Sequence, residues 1–221
     1  DRQHREPRMP SSTRSDPPNA FEGLIETVCG DALRTAVVHP VERLSLGGAM
    51  EARDAGLIEP VLVGPKDKIQ AAADEAELDL SGVEIADVEH SHEAASKAAR
   101  LAGESEVGAL MKGAIHTNEL MQAIIDRSAG LRTERRMSHV FVMETPAYPK
   151  RLLMTDGAIN IAPDLKTKRD IVQNAIDLAH AMDLSEPLVA ILSATEEVDP
   201  NIPSTVDAAA LCKMADRRQI T

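Results

Sequence analysis

The regular alternation of short apolar runs with helical patterns is the feature that most constrains the fold of this chain. Such alternation favours a mostly parallel β-sheet covered by helices. The predicted strands of the first part of the chain are Thr35–His39, Ile58–Val63, Val83–Val88 and Val107–Met111. The predicted helices are Asn19–Cys29, Glu42–Ala55, Lys66–Leu78, Glu93–Ala102 and Thr117–Ser128, and we expect Gly47 and Gly48 to interrupt the second of them.

The pattern changes after Met137. Val140–Glu144 and Arg151–Asp156 are predicted strands, and the short link between them favours an antiparallel pair. The elements predicted after them are the helix Lys168–Met182, the strand Leu188–Leu192 and the helix Ser204–Ala215. We therefore predict a first α/β domain at residues 19–136 and a second at 137–221. Residues 1–18 are polar and rich in Arg, Ser and Pro, which indicates a disordered tail or linker.

Composition and charge bear on the partners and the compartment. The formal charge is −12 and the only aromatic residues are Phe21, Phe141 and Tyr148, so binding to a phosphate backbone or to stacked bases is disfavoured. The two cysteines, Cys29 and Cys212, are expected to be free thiols in a reducing compartment. The sequence contains no run of transmembrane length and no signal-peptide pattern, so we expect a cytoplasmic protein with no membrane partner.

The run Gly108–Asn118 predicts a ligand site. It is a buried strand that ends in a glycine-containing polar turn at a helix start, and ligands of open α/β sheets bind outside the carboxyl ends of strands. Gly113 would allow close approach to a ligand, and Thr117 or Asn118 would cap the helix and leave amides for an anion. Lys112 could pair with a phosphate. The alternative is a solvated lysine beside an ordinary helix cap.

Further candidates lie in later loops. Arginine side chains suit phosphates and carboxylates, and three arginines lie near the predicted domain boundary: Arg132, Arg135 and Arg136. Asp156 could orient a ligand group and Asn160 could donate an amide to it, although an Asp-Gly turn is the simpler interpretation. Ser193 follows a predicted strand, where its alternative role is helix capping, and no hydrolase elbow surrounds it.

The segment Glu89–Glu93 contains two histidines between carboxylates, which is a composition that could hold a metal ion. No further His, Cys or carboxylate cluster completes a coordination shell, so a polar strand-to-helix turn is favoured. The sequence also contains no glycine fingerprint for a dinucleotide and no P-loop.

In their order and spacing, four segments resemble the phosphate acetyltransferase and phosphate butyryltransferase family: Lys112–Thr117, Ser138–Met143, Thr155–Asn160 with Pro163, and Val189–Ser193. The resemblance extends from about Phe21 to the end of the chain. It implies transfer of an acyl group between phosphate and coenzyme A, with coenzyme A as a substrate, no permanently bound cofactor and no metal. It also implies two three-layer αβα domains with mostly parallel sheets and a cleft between them, an architecture like that of isocitrate and isopropylmalate dehydrogenases, usually in a homodimer.

The resemblance implies that the substrate-binding residues are Lys112, His116, Thr117, Asn118, Arg132, Arg135, Arg136, Ser138, Asp156, Asn160 and Ser193. The acetyl-transferring branch carries an arginine where this chain reads Glu119–Gln122, so a butyryl or other acyl group stays open. The family's Ser-Arg pair and downstream Asp are expected beyond Thr221, which leaves the catalytic residues unassigned and the second domain incomplete at its C-terminal end.

Two other functions stay open. One is a non-catalytic fragment that binds coenzyme A or phosphate, or a module of a longer bifunctional enzyme. The other is a dehydrogenase-like relative on the same broad architecture, which is disfavoured because the sequence has neither a metal-carboxylate cluster nor a glycine fingerprint.

Overall fold

The computed structural model describes residues 24–25, 30–145 and 148–221. The predicted tail at 1–18 and most of the predicted helix Asn19–Cys29 lie outside the described residues. The chain divides into two compact units. One comprises Ile25–Arg135, here called the α/β unit, and the other contains Arg136–Thr221 together with Leu24, here called the hairpin unit.

The α/β unit is built on a parallel sheet. Its strands are β1 (Leu33–Val38), β2 (Ile58–Gly64), β3 (Glu84–Asp87) and β4 (Ala109–Lys112). All three pairings are parallel and the strand order is β3-β2-β1-β4, so the predicted parallel sheet is confirmed in this unit. The helices of the unit are α1 (Arg43–Asp54), α2 (Lys66–Glu75), α3 (Ser91–Gly103) and α4 (Thr117–Ile125).

Both faces of this sheet are covered. Ala36 and Val38 face a cluster formed mainly with α3 and α4, whereas Val37 faces a cluster formed with α1 and α2. The opposite directions follow from the alternation of side chains along a strand. The side chains are aliphatic and the clusters rich in alanine, as a chain with almost no aromatic residues requires. This unit therefore has three layers, helix, sheet and helix.

The expected interruption of α1 at Gly47 and Gly48 is wrong, because the helix is continuous from Arg43 to Asp54. A glycine in a helix costs about 1 kcal/mol relative to alanine. Leu46, Ala49 and Met50 are buried against the sheet, and burial of one large apolar side chain contributes about 1.5–3 kcal/mol. Tertiary packing thus outweighs the local preference.

The hairpin unit contains an antiparallel pair of strands, β5 (Val140–Thr145) and β6 (Tyr148–Thr155), as predicted. Its helices in the described part of the chain are α5 (Leu165–Ala181) and α6 (Pro203–Asp216). Val172 of α5, Leu211 of α6 and Ile220 form its buried cluster.

The predicted strand Leu188–Leu192 is wrong, and so is the expectation of a mostly parallel sheet for the described residues of this unit. The segment has no ladder partner among those residues, and an extended segment becomes a strand only through such pairing. Its apolar side chains do not form a buried stripe either, since Leu188 is 97% and Leu192 87% exposed. Over the described residues, the helices are too short or too polar to cross a bilayer.

Candidate functional site

The carboxyl edge of β1 and β4 is a topological switch point. The chain passes from β1 outward through β2 to β3 and then returns to place β4 on the other side of β1. The connections leave β1 and β4 in opposite directions, which opens a crevice outside the ends of these two strands, and ligands of α/β sheets bind at such points. The predicted site run follows β4 directly, so it lies at this edge.

Gly113 has a different role from the predicted one. Its N–H donates to the Val38 carbonyl oxygen at 2.9 Å, and the Ala114 N–H donates to the His39 carbonyl oxygen at 2.9 Å. A Cβ atom on Gly113 would lie 2.5 Å from the Val38 oxygen and 2.8 Å from the His39 oxygen. The missing side chain therefore allows the backbone after β4 to approach the end of β1, and ligand access is not what requires glycine here.

The first turn of α4 exposes three of the predicted residues: His116, Thr117 and Asn118. The helix begins at Thr117 with His116 as its N-cap, and no side chain caps it, so the predicted capping by Thr117 or Asn118 is wrong. The Glu119 N–H already donates to the His116 carbonyl oxygen at 3.1 Å, whereas the Thr117 and Asn118 N–H groups have no acceptor among the described residues and lie at the positive end of the helix dipole. Lys112 is exposed, and the contact found for its Nζ among the described residues is a long one of 3.4 Å to the Gly113 carbonyl oxygen. This turn thus offers a cation and unsatisfied donors to an anion.

Glu119 is a polar contact of this turn that sequence reasoning did not identify. Its Oε1 accepts a hydrogen bond from Ser91 Oγ at 2.6 Å, which joins the first turn of α4 to the start of α3. Glu93 Oε2 accepts from the His90 N–H at 3.3 Å, so the histidine-rich segment forms the polar helix start favoured above. The described residues contain no group of three or more side chains that could hold a metal ion.

Asp156 organises the loop after β6 in the hairpin unit. Its carboxylate accepts hydrogen bonds from the Ala158 N–H at 3.0 Å, the Ile159 N–H at 2.9 Å and Asn160 Nδ2 at 2.6 Å. Partial burial acts to raise the pKa of Asp156, but the hydrogen bonds from Ile159, Ala158 and Asn160 outweigh it and hold the pKa below its usual value. Asp156 is therefore an ionised anchor of this turn.

Asn160 also donates from Nδ2 to the Met137 carbonyl oxygen at 2.9 Å. Its two side-chain hydrogens are thus used within the protein, because an amide carries two. The side-chain carbonyl oxygen, not the predicted N–H, is what Asn160 can offer to a ligand. The geometry around Asp156 and Asn160 is that of the structural Asp-Gly turn.

A surface cavity of about 410 Å³ lies at the start of α5. Its lining includes Arg136, Asn160, Asp164 and Thr167. Asp164 caps the helix by accepting from the Thr167 N–H at 2.8 Å, and the hydrogen bonds from Thr167 lower the pKa of Asp164, with the charge of Arg136 adding to the effect. The cavity therefore combines a cation and an anion, and only Arg136 favours a phosphate.

Asp170 fixes the backbone at Arg136 and was not identified from the sequence. It is 3% exposed, and its Oδ2 accepts from the Arg136 N–H at 3.1 Å while Oδ1 accepts from Arg169 Nη2 at 2.5 Å. Burial acts to raise the pKa of Asp170, but the hydrogen bonds from Arg169 and Arg136 outweigh it and lower the pKa. The sequence signal that could have identified Asp170 is its position directly before Ile171 and Val172, which belong to the apolar stripe of α5.

The remaining predicted residues are exposed or serve local contacts. Ser138 Oγ accepts a hydrogen bond from Asn174 Nδ2 at 2.9 Å, and Ser193 Oγ lies 2.6 Å from Ser204 Oγ at the start of α6. Because the strand predicted before Ser193 does not form, this serine is not at a sheet edge. Arg132 and Arg135 are exposed in the loop that ends the α/β unit.

Comparison with known proteins gives consistent results. A family described as phosphate acetyl/butaryl transferase matches residues 92–221. The phosphate acetyltransferase of Rhizobium meliloti is 55% identical over 205 residues, which cover 92% of this chain and 65% of that protein. The phosphate butyryltransferase of Clostridium acetobutylicum is 37% identical over 187 residues, which cover 85% of this chain and 62% of that protein.

A branched-chain phosphotransacylase from Enterococcus faecalis shares the fold with a TM-score of 0.67 and 27% identity, over 81% of this chain and 63% of that one. The chain thus spans less than two thirds of the length of these three relatives, between 62% and 65%.

Proposed function

Because the chain belongs to the phosphate acetyl/butaryl transferase family, we propose that it transfers a short-chain acyl group between phosphate and coenzyme A. The observation that carries the proposal is the position of the β4–α4 turn. The turn lies at the switch point of the parallel sheet, where Lys112 and the first amides of α4 are open to an anion.

The reaction has a simple balance. The coenzyme A thiol loses its proton, its sulfur attacks the carbonyl carbon of the acyl phosphate, and a C–S bond forms as the C–O bond to phosphate breaks. The phosphate leaves with the electron pair of that bond and takes up the proton that the thiol has lost. In the proposal Lys112 and the donors at His116, Thr117 and Asn118 hold the acyl phosphate or phosphate, which places the carbonyl and stabilises negative charge on it.

We assign the phosphate groups of coenzyme A to arginine side chains. Arg136 is the candidate at the cavity of the hairpin unit, where Asn160 offers its carbonyl oxygen, and Arg132 and Arg135 are exposed candidates in the preceding loop. Arginine is suited to such groups because its guanidinium binds phosphate oxygens in pairs. Ser138, Asp156 and Ser193 remain proposed lining residues, although their observed contacts are local ones.

The acyl group of the proposal is acetyl or butyryl. The identity to an acetyltransferase supports acetyl, while Glu119–Gln122, which replaces the arginine expected of the acetyl-transferring branch, supports a longer chain. Parallel assays with acetyl phosphate and butyryl phosphate decide between them through the ratio of kcat/KM values.

We extend the proposal to architecture and partners. The α/β unit corresponds to an αβα domain as in isocitrate and isopropylmalate dehydrogenases, and the protein is a cytoplasmic homodimer that binds small molecules and neither nucleic acid nor membranes. The net charge of −12 supports the absence of nucleic acid. An apolar face of the hairpin supports the dimer, because Phe141 and Met154 pair in register and are both exposed, as is Leu152. Light scattering on the purified protein tests the dimer directly.

The second candidate is a non-catalytic module that binds coenzyme A or phosphate, alone or within a longer bifunctional enzyme. It is favoured by the two side-chain N–H donors of Asn160, which are taken by the Met137 carbonyl oxygen and by Asp156 and are therefore not offered to a ligand at the cavity.

The test is acyl-coenzyme A formation from acetyl phosphate and butyryl phosphate, together with calorimetric titration of coenzyme A. Both are run on this chain and on a version extended past Thr221. Turnover supports the enzyme, and binding without turnover supports the module. Absence of both in the two proteins would overturn the proposed function.

A further inference from the structure

His39, at the end of β1, has a backbone conformation that the usual preferences of its local sequence do not explain. Its φ is +57°, although the next residue is Pro40 and the residue before a proline prefers an extended conformation. The other non-glycine residues with positive φ in the described part of the chain each follow the C-cap of a helix, where the left-handed conformation is common: Glu77, Ser105, Asp183 and Arg218. His39 follows a strand, and such outliers cluster at functional sites.

The imidazole of His39 lies across the carboxyl edge of the sheet. Nδ1 is 2.8 Å from the Ala114 carbonyl oxygen, which follows β4, and Cδ2 lies 3.7 Å from the position that a Cβ atom of Gly64 would occupy at the end of β2. The ring therefore touches the ends of both strands that flank β1. One of these contacts is to the turn that carries Lys112 and leads into α4.

The contact with Ala114 assigns the tautomer. A carbonyl oxygen can only accept a hydrogen bond, so the neutral ring donates from Nδ1 and keeps a lone pair on Nε2. Among the described residues no hydrogen-bond partner is found for Nε2, and the His39 side chain is only half-buried. A hydrogen-bond acceptor of fixed direction is thus held at the switch point, on the residue after Val38, whose register partner in β4 is Lys112.

We propose that Nε2 of His39 binds the substrate at the β1–β4 crevice, where it accepts a hydrogen bond from the S–H or an amide N–H of the pantetheine arm of coenzyme A. This inference rests on the proposed function. The site already offers positive charge and N–H donors for a phosphate, whereas the donor groups of the second substrate need a hydrogen-bond acceptor. His39 supplies that acceptor, and the strained backbone places it.

The variant that separates this role from a structural one is His39→Asn. Asparagine carries its amide nitrogen on Cγ, as histidine carries Nδ1, so it can keep the bond to Ala114, and asparagine tolerates the left-handed conformation. It lacks any atom equivalent to Nε2. His39→Ala removes both the bond to Ala114 and the acceptor, and it is the matched control.

The experiment is calorimetric titration of coenzyme A into the wild type and both variants, with urea unfolding of each. We expect His39→Asn to keep the unfolding midpoint and to raise the dissociation constant about tenfold, the effect of one hydrogen bond. His39→Ala is expected to lower the midpoint as well. Nitrogen-15 spectra of histidine-labelled protein, assigned with His39→Asn, should show an Nε2 shift of His39 when coenzyme A is added.

Normal affinity in His39→Asn, with no Nε2 shift, would show that His39 only holds the β4–α4 turn, and the inference would fail alone. If neither the wild type nor the version extended past Thr221 binds coenzyme A or turns over acyl phosphate, the proposed function fails and the inference falls with it. The two failures are therefore distinguishable in one titration series.

Discussion

Asp170→Asn is the substitution for which the structure gives the most complete expectation. The change is nearly isosteric, but it removes the charge of a carboxylate that is 3% exposed and accepts from both the Arg136 N–H and Arg169. A hydrogen bond to a charged group contributes about 1.5–3 kcal/mol to stability. The ion pair adds at most about 1 kcal/mol, because Arg169 is 38% exposed and solvent screens it. We expect a loss of about 2–3 kcal/mol for the hairpin unit.

The measurement is urea unfolding followed by tyrosine fluorescence, since the only tyrosine, Tyr148, lies in β6 of the hairpin unit and the chain has no tryptophan. With a slope of about 2 kcal/mol per molar urea, the expected midpoint shift is about 1–1.5 M. The matched control is Asp177→Asn on the exposed side of the same helix, with an expected loss within about 0.5 kcal/mol. Equal losses in the two variants would refute the role of Asp170 as a buried anchor.

The pH dependence of the same pair gives a second test of this reasoning. The pKa of Asp170 is lowered in the folded protein, so the unfolded chain binds the proton more readily. The stabilisation is therefore present above the unfolded carboxyl pKa of about 3.9 and is lost as the pH falls through the lower folded-state pKa. The stability difference between wild type and Asp170→Asn should be constant near neutral pH and should shrink below about pH 4.

Further predictions concern the α/β unit. Gly113→Ala should lower the free energy of unfolding by about 1–3 kcal/mol, because the new Cβ would lie 2.5 Å from the Val38 oxygen. Gly47→Ala in α1 should raise it by about 0.5–1 kcal/mol, because no atom lies within 4 Å of the new Cβ and alanine favours a helix. Equal unfolding midpoints for the two variants would contradict this contrast. Lys112→Ala should raise KM for phosphate or acyl phosphate about tenfold while the midpoint of unfolding stays constant, because its Nζ has only one long contact. Unchanged kinetics would remove Lys112 from the site.

The α/β unit was predictable because its central strands, β1 and β2, are buried on both faces and all four strands alternate with helices. Each predicted strand there corresponds to an observed one, including Val107–Met111, which became β4 at Ala109–Lys112. The hairpin followed from the short link between two apolar runs. The strand Leu188–Leu192 was not predictable in the same way, since an apolar run indicates a strand only if a neighbour pairs with it, and its sequence holds no information about that neighbour.

The place of the run Gly108–Asn118 at the carboxyl edge of the sheet was predictable from the sequence, because parallel strands bring their carboxyl ends together. That this edge binds a ligand stays a prediction, and the contacts of its residues were less predictable. The role of Gly113 depended on the backbone of β1, and the occupied N–H donors of Asn160 depended on Met137, both distant in sequence. His39 was interpreted only as the end of a strand, since neither its φ nor its contact with Ala114 leaves a local signal.

At the carboxyl edge of the α/β sheet, the groups that stabilise the structure are different from the groups that are proposed to bind a ligand. Gly113 and Ala114 close the β1–β4 contact through backbone bonds, and Glu119 binds Ser91 between two helix starts. Lys112 stays nearly uncommitted, so its removal should alter ligand affinity without unfolding the unit. This separation gives the kinetic tests their meaning: a variant of Lys112 reports on binding, whereas a variant of Gly113 reports on the framework that places the turn. If Lys112→Ala and Gly113→Ala lowered the unfolding midpoint equally, Lys112 would belong to the framework, and the ligand site would not lie at this edge.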